Sequence, residues 1–375
     1  MFKSLLWHFL RHAVVHMPAD IISRTLFGLN VPALTAISSI LDIATWPFLL
    51  IAWLYIVASQ DPRLVSIRKK ADVAFIAALL LLAALQYTKT TVNELRPCDT
   101  PDAIGKGICP GDGSFPSGHA AITALFAAFA IGTPLFIPSL ALYGVVSFSR
   151  IYLGFHYLND VLAGTAFGLM SYFLVWSLIR PKERSTSKKE GFFVREMAHV
   201  GFGISVMLLI AVAFHFVASW RIVSAAFVTL ALICFLLVMH VKWSGKRLRL
   251  LDELFKIIGI RDAFPGEGAF WFLAGSLLLL TVVTDSAKVL TSIFIVTVGD
   301  IASAMFSSSR SGRSIFKNKT PASFAAFVIS TLPATFIAGW GVFPLLLMVA
   351  AVESLDLKVN DNFLMLLICT IFFAM

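Results

Sequence analysis

Three short polar segments of the sequence hold side chains that can bind and cleave a phosphate ester. They read KTTVNELRP at 89–97, PSGH at 116–119 and SRIYLGFHYLND at 149–160. Lys89, Arg96 and Arg150 supply positive charge. Lys neutralises phosphate oxygens as a point charge, and Arg does so through a planar fork of donors. The segments therefore predict a binding site for an oxyanion.

Two histidines and an aspartate add acid–base chemistry to these cations. His156 and Asp160 are four residues apart, so they can face each other on one side of a helix. An aspartate that accepts from one ring nitrogen fixes the tautomer and leaves the other nitrogen as a nucleophile. His156 is therefore the predicted nucleophile, and His119 is the predicted acid that protonates the leaving oxygen.

The PSGH segment is predicted to open a helix. The free amide groups of Ser117, Gly118 and His119 can then point at an anion, and the positive end of the helix dipole adds to the attraction. We therefore include Ser117 and Gly118 among the predicted phosphate-binding residues.

The composition identifies the elements that must hold these segments. Of the 375 residues, 58% are hydrophobic and 14% are charged, and the mean hydropathy is +0.87. So much apolar surface predicts a polytopic membrane protein. The apolar runs are continuous rather than alternating, which predicts an all-α fold, because helices satisfy the backbone in lipid. About 12 spans of sufficient length are predicted, near 33–58, 72–89, 118–132, 135–150, 158–179, 197–217, 221–240, 268–284, 287–306, 321–336, 341–357 and 362–375.

The net charge of +9 is explained by membrane topology rather than by a nucleic-acid partner. Of the 30 Lys and Arg residues, 20 lie in four loops, at 59–71, 180–196, 241–265 and 307–320. The positive-inside rule places these loops in the cytoplasm and the loops between them outside. The predicted phosphate site then faces outward, in what we expect to be the plasma (inner) membrane.

Two of the four cysteines, Cys98 and Cys109, share the loop at 89–117. Disulfides persist on the outer side of the membrane, so these two are predicted to be bonded. Cys234 and Cys369 lie inside apolar spans and are interpreted as small hydrophobic residues.

The charged stretch at 181–196 has the composition of a linker. It predicts a first membrane domain at 31–180 and a second at 197–375. Residues 1–30 begin with apolar runs that are interrupted by charged and histidine side chains, and they are interpreted as an amphipathic segment in the membrane interface.

The three polar segments resemble the signature of the type 2 phosphatidic acid phosphatase (PAP2) superfamily, K-x6-RP, PSGH and SR-x5-H-x3-D. Order and spacing fit over residues 20–180. The resemblance implies a helical bundle in which His156 forms a phosphohistidine that water hydrolyses, while His119 is the general acid. It also implies that the basic residues hold the phosphoryl group without a metal or cofactor.

The second half carries other polar residues near the predicted cytoplasmic face. Gly299 and Asp300 lie in a span, where a carboxylate is costly unless it has a partner or a ligand. Further polar residues follow at Lys317, Lys319, Glu353, Asp361 and Asn362. Carboxylates and cations on this side suit a nucleotide triphosphate with Mg²⁺.

These residues resemble the CTP-dependent lipid kinases, the group that contains dolichol kinase and phytol kinase. The resemblance covers roughly residues 190–375 and implies that Lys317 and Lys319 bind nucleotide phosphate, with Mg²⁺ at Asp300 and Asp361. The sequence KTPASF lacks the Glu and Gly of the family pattern, so an active kinase and a non-catalytic scaffold are both kept as hypotheses.

The favoured hypothesis joins the halves. An outward phosphatase cleaves a lipid (di)phosphate, with polyprenyl diphosphate as the favoured substrate, and a cytoplasmic kinase phosphorylates polyprenol with CTP. The alternatives are a phosphatidate or phosphatidylglycerophosphate phosphatase with a scaffold or lipid-translocating second domain, and a receptor that binds lipid phosphate without cleaving it. The expected partners are a membrane lipid phosphate and a nucleotide, with no nucleic acid.

Overall fold

The computed structural model describes residues 21–59, 61, 65–100, 106–179, 192–217, 219–245, 266–308, 320–355 and 359–374. These residues form helices joined by turns and loops, and no strand occurs among them. The all-α prediction is confirmed. The chain divides into two compact units, one formed by Met1–Arg180 with Ile233–Lys246 and Met375, the other by Pro181–Leu232 with Arg247–Ala374.

The first unit holds the three signature segments. Its helices are α1 Ile21–Gly28, α2 Pro32–Ala58, α3 Val65–Arg68, α4 Ala71–Val92, α5 Gly118–Phe129, α6 Phe136–Tyr152 and α7 Leu158–Ile179. Helix α5 packs against α4, α6 and α7, and α2 packs against α6. Most of α5 is buried, whereas α2 exposes large apolar side chains such as Ile43, which is 76% exposed. A lipid-facing surface accounts for that exposure.

The second unit is built around a long central helix. Its elements are α8 Phe192–Phe216, α9 Trp220–Trp243, α10 Glu267–Val282, α11 Ser286–Ser308, α12 Pro321–Thr331, α13 Ala334–Ala338, α14 Phe343–Ser354 and α15 Asp361–Ala374. Helix α11 packs against α8, α12 and α15. The end of α9, from Ile233, belongs to the first unit.

Each of the predicted spans overlaps an apolar helix. Among the described residues, five helical segments are long and apolar enough to cross a membrane, namely Pro32–Ala58, Ala71–Asp99, Leu158–Ile179, Trp220–Trp243 and Ser286–Ser307. The remaining predicted spans coincide with apolar helices of 10–17 residues. The chain is therefore a multi-pass membrane protein, and the number of crossings stays a prediction.

The predicted interfacial segment is described only at its end. Residues 1–20 lie outside the described part of the chain. Helix α1 packs against α6, and the backbone N–H of Leu158 donates to the Ser23 hydroxyl at 2.8 Å. This last part of the segment therefore belongs to the first unit and supports the beginning of α7.

Two glycines allow α5 and α7 to approach closely. Gly164 and Gly168 are four residues apart on α7, in the arrangement by which small residues bring membrane helices together. A Cβ at Gly164 would overlap the carbonyl oxygen of Ser117, and one at Gly168 would overlap that of Ala121. The obstacle is backbone in both cases, so it cannot move aside without shifting the helix.

We expect Gly168→Leu to separate α5 from α7 and to lower the melting temperature of the purified protein in detergent, since overpacking costs about 1–3 kcal/mol. Gly144→Leu on α6 is the matched control, because a Cβ at Gly144 meets nothing within 4 Å. Equal melting temperatures for the two variants would contradict the close helix contact.

Candidate active site

The predicted phosphate-site residues come together in the first unit at neighbouring helix ends. Lys89 lies in the last turn of α4, His119 in the first turn of α5 and Arg150 in the last turn of α6. The chain then turns at Gly154, whose φ of +75° favours glycine. The backbone N–H of His156 donates to the carbonyl oxygen of Arg150 at 3.2 Å, which fixes the turn that presents this histidine.

Arg96 links the loop after α4 to His156. Its Nη1 donates to the carbonyl oxygen of Phe155 at 2.7 Å and lies 3.3 Å from Nε2 of His156. Arg96 is 3% exposed, so its charge acts in a poorly solvated place. The guanidinium is thus in position to neutralise charge that develops next to Nε2.

His156 and Asp160 form the predicted pair, held slightly apart. Nδ1 of His156 lies 3.6 Å from Oδ2 of Asp160, too long for a hydrogen bond. That Oδ2 accepts from the hydroxyl of Ser114 at 2.5 Å and from the N–H of Tyr157 at 2.8 Å. The two donors fix the aspartate on the Nδ1 side of the ring, which leaves Nε2 for the nucleophile. Catalytic hydrogen bonds are often long before substrate binds.

Burial keeps the imidazole of His156 neutral. The side chain is 3% exposed, and burial, together with the charges of Arg96, Lys89 and Arg150, lowers the pKa of His156 well below the usual value. A neutral ring nitrogen carries the lone pair that a nucleophile needs. The surrounding cations thus favour the reactive form of the histidine.

Asp112 forms ion pairs with two of the cations that were predicted to bind phosphate. Its Oδ2 lies 2.8 Å from Nζ of Lys89, and its Oδ1 lies 2.6 Å from Nη2 of Arg96. Burial raises the pKa of Asp112, but the hydrogen bonds and charges of Lys89 and Arg96 outweigh that effect and lower the pKa to about 2. The side chain is 55% exposed, so a phosphate group can displace it from the cations.

Asp42 forms an ion pair with the third cation, Arg150, and lies next to His119. Its Oδ1 is ion-paired with Nη1 of Arg150. Nε2 of His119 lies 3.1 Å from the backbone oxygen of Asp42 and 3.7 Å from Oδ1. Nε2 of His119 is thus next to Asp42 before any substrate binds, and its predicted role as the acid stays a prediction.

Two buried side chains of the first unit carry donors without a hydrogen-bond partner among the described residues. Nε and Nη2 of Arg150 and the hydroxyl of Ser117 are buried and have no hydrogen-bond partner within the described residues. Arg150 is 1% exposed and Ser117 is fully buried. Buried polar groups nearly always find partners, so these donors call for a ligand with acceptor oxygens.

The helix start at α5 differs from the prediction in one bond. The N–H of Ser117 was expected to face the anion, but it donates to the backbone oxygen of Asp160 at 2.9 Å. The close approach of α5 and α7 imposes that bond. Ser117 therefore offers its hydroxyl, while Gly118 and His119 retain first-turn N–H groups that lack intrahelical partners.

A disulfide ties the loop to the site. Cys98 and Cys109 are bonded, with their Cα atoms 5.9 Å apart. The N–H of Cys98 donates to the carbonyl oxygen of Gly154 at 2.9 Å, two residues before His156. The covalent bond thus helps to hold the loop that carries Arg96 and Asp112 against the histidine turn.

Asp42, Asp112 and Ser114 are not among the site residues predicted from the sequence. A carboxylate inside an apolar run is a recognised signal of function, and Asp42 is the one charged residue in the sequence of α2. That signal could have found it. Asp112 and Ser114 had no such signal, because their partners are brought to them by folding.

Of the predicted kinase residues that the structure describes, two lie together in the second unit. Asp300 and Asn362 line one cavity of about 20 Å³ with Phe202, Phe272 and Thr297. The cavity has room for about one water-sized group, whereas protein-bound Mg²⁺ usually keeps several waters and its nucleotide is far larger. This cavity therefore does not fit Mg²⁺ with CTP.

Three other predicted kinase residues, Gly299, Glu353 and Asp361, do not line this cavity. Glu353 is buried, and its Oε1 accepts from the Ser303 hydroxyl at 2.8 Å. A Cβ at Gly299 would overlap the ring of Phe327, so this glycine serves helix packing. Asp361 begins α15 and does not line the cavity. Lys317 and Lys319 lie outside the described residues.

Comparisons with known proteins give one family match and one similar solved structure. Residues 71–184 match the PAP2 superfamily. The crystal structure of a transmembrane PAP2 type phosphatidylglycerolphosphate phosphatase from Bacillus subtilis is similar over 49% of this chain and 100% of that chain, with 24% identity and a TM-score of 0.38. No curated protein matched the chain. The matched region contains all three signature segments, and residues 71–184 are thus a PAP2 superfamily domain.

Proposed function

We propose that the first unit hydrolyses the terminal phosphate of a membrane lipid through a phosphohistidine at His156. One observation carries the proposal. The buried donors of Arg150 and Ser117 lack partners within the described residues. The charge of Arg150 acts on His156, and the backbone of Ser117 bonds to that of Asp160, the residue paired with His156. Donors fixed in a poorly solvated place stabilise the charge of a transferring phosphoryl group.

The reaction divides between two histidines. Nε2 of His156 attacks phosphorus, the bond to the lipid oxygen breaks, and His119 gives that oxygen a proton. Water then attacks the phosphohistidine, His119 takes up the proton of that water, and inorganic phosphate leaves. Asp160 holds the ring of His156 and stabilises the positive charge that forms on it.

When substrate binds, its phosphate replaces the carboxylate of Asp112 as the negative partner of the cations. The phosphate displaces Asp112 from Lys89 and Arg96 and accepts from the unused donors of Arg150. The cations thus keep a negative partner before and after binding. The bilayer supplies a lipid substrate directly to a site at the helix ends of a multi-pass protein, and the positive-inside distribution favours an outward orientation.

The phosphate-binding groups by themselves can bind the terminal phosphate of polyprenyl diphosphate, the lipid that the sequence favoured, or that of phosphatidate or phosphatidylglycerophosphate; the choice among these lipids depends on what surrounds the leaving group. The kinase hypothesis for the second unit receives no support from the comparisons or from the cavity at Asp300. It stays a hypothesis beside the scaffold and lipid-translocation alternatives.

We expect His156→Ala to reduce kcat for phosphate release from lipid phosphates by at least about 10³-fold, because the nucleophile is lost. The assay measures inorganic phosphate released in mixed detergent–lipid micelles. His215→Ala is the control, since His215 is exposed at the end of α8 in the other unit. Full activity of His156→Ala would support the receptor alternative and contradict hydrolysis through this residue.

The lowered pKa of His156 predicts the acidic side of the pH profile. The neutral ring is the nucleophile, and a lowered pKa keeps it neutral as the pH falls. We therefore expect kcat/KM to hold through the ordinary histidine range near about 6.5 and to decline only below it. A decline on the acidic side that is centred at or above that range would contradict a buried, cation-surrounded nucleophile.

A further inference from the structure

We propose that Asp42 makes the site selective for lipid phosphomonoesters, whose leaving group is an uncharged alcohol, over lipid diphosphates. The inference rests on the proposed function, since it names the substrate class of that reaction. It departs from polyprenyl diphosphate, the substrate that the sequence favoured.

The position of Asp42 is unusual enough to require a reason. Asp42 is the one charged residue in the 27-residue sequence of α2, and its neighbour Ile43 is 76% exposed on the lipid-facing side. A carboxylate in such a helix is costly and usually has a function. Its ion pair with Arg150 and its approach to His119 show that it faces the active site.

Asp42 lies on the side of the site from which the leaving group departs. The leaving oxygen must come within hydrogen-bonding distance of His119 to receive its proton. The carboxylate of Asp42 lies 3.7 Å from Nε2 of His119, so the leaving group comes within a few ångströms of a negative charge. An uncharged alcohol is not repelled by the carboxylate of Asp42, whereas the second phosphate of a diphosphate is repelled by it.

The donors of Arg150 lead to the same conclusion. Nη1 is ion-paired with Asp42, and Nε and Nη2 are the two buried donors without a partner within the described residues. Two parallel donors suit one phosphate group. A second phosphate would have to take Nη1 from Asp42 and would leave that carboxylate unpaired beside it.

Asp112 differs from Asp42 and provides the matched control. It pairs with Lys89 and Arg96 rather than with Arg150, and its side chain is 55% exposed on a loop. Any phosphate group displaces it, whatever the leaving group. Asp112→Asn should therefore change kcat/KM for monophosphates and diphosphates by the same factor.

The test compares one prenyl chain that carries either a monophosphate or a diphosphate. The full chain is assayed in mixed micelles, and the loss of each starting lipid is followed by chromatography, since the diphosphate yields the monophosphate. We expect kcat/KM of the wild-type protein to favour the monophosphate at least tenfold. Asp42→Asn should lower the ratio of kcat/KM for the monophosphate to kcat/KM for the diphosphate at least fivefold, and Asp42→Glu should leave this ratio unchanged.

The outcomes separate the two proposals. A wild-type protein that cleaves the diphosphate equally well or better overturns the selectivity, while hydrolysis itself stands. A preference that Asp42→Asn leaves unchanged, in protein with wild-type melting temperature, overturns the assignment to Asp42. If Asp42→Asn does not fold, the proposal is tested by the monophosphate-to-diphosphate ratio of kcat/KM in the wild-type protein and in Asp42→Glu. The proposal requires a preference for the monophosphate in both proteins. Cleavage of neither lipid contradicts the proposed function and this inference together.

Discussion

The pairing of buried charge at the helix ends is the constraint on which the rest of the first unit depends. Cations with little access to water are tolerated when carboxylates or hydrogen bonds accompany them, and removing one partner of a buried pair costs about 3–5 kcal/mol. Here the three cations of the site are matched by two aspartates, one on a loop and one on a lipid-facing helix. A phosphate can replace the loop aspartate because it is also negatively charged.

The helix packing serves this arrangement. Gly164 and Gly168 let α7 approach α5 until the N–H of Ser117 bonds to the backbone of Asp160. That contact sets the serine hydroxyl and the aspartate that orients His156 on neighbouring elements. A membrane bundle gains little from burying apolar surface against lipid, so close backbone contact and interhelical hydrogen bonds must hold it together. The same contacts therefore stabilise the bundle and build the site.

The sequence predicted the first unit well for a physical reason. The length of an apolar run reports directly on a membrane helix, and each predicted span of the first unit overlaps an apolar helix of the structure. The spacing of Lys89, Arg96, His119, Arg150, His156 and Asp160 likewise predicted a cluster that folding assembles. Asp112 escaped notice because its partners lie 16 and 23 residues away along the chain, and the N–H of Ser117 was misassigned because its bond depends on the approach of another helix.

The second unit shows the limit of the same reasoning. Isolated polar residues in apolar helices suggested a nucleotide site, but their spacing did not specify which of them meet. Asp300 and Asn362 share a cavity, Gly299 is used for packing and Glu353 bonds to Ser303. Intramembrane polar groups can serve helix contacts as readily as catalysis, and only the three-dimensional arrangement separates the two uses.

The most direct measurement is to trap the covalent intermediate. The protein is mixed with a lipid phosphate labelled in its terminal phosphate and quenched at high pH within the first turnovers, and the labelled peptide is identified by mass spectrometry. Our account predicts a phosphohistidine at His156 that is stable to alkali, labile to acid and lost in the His156→Ala variant. Rapid release of labelled phosphate without label on His156, or label on another residue, would contradict it.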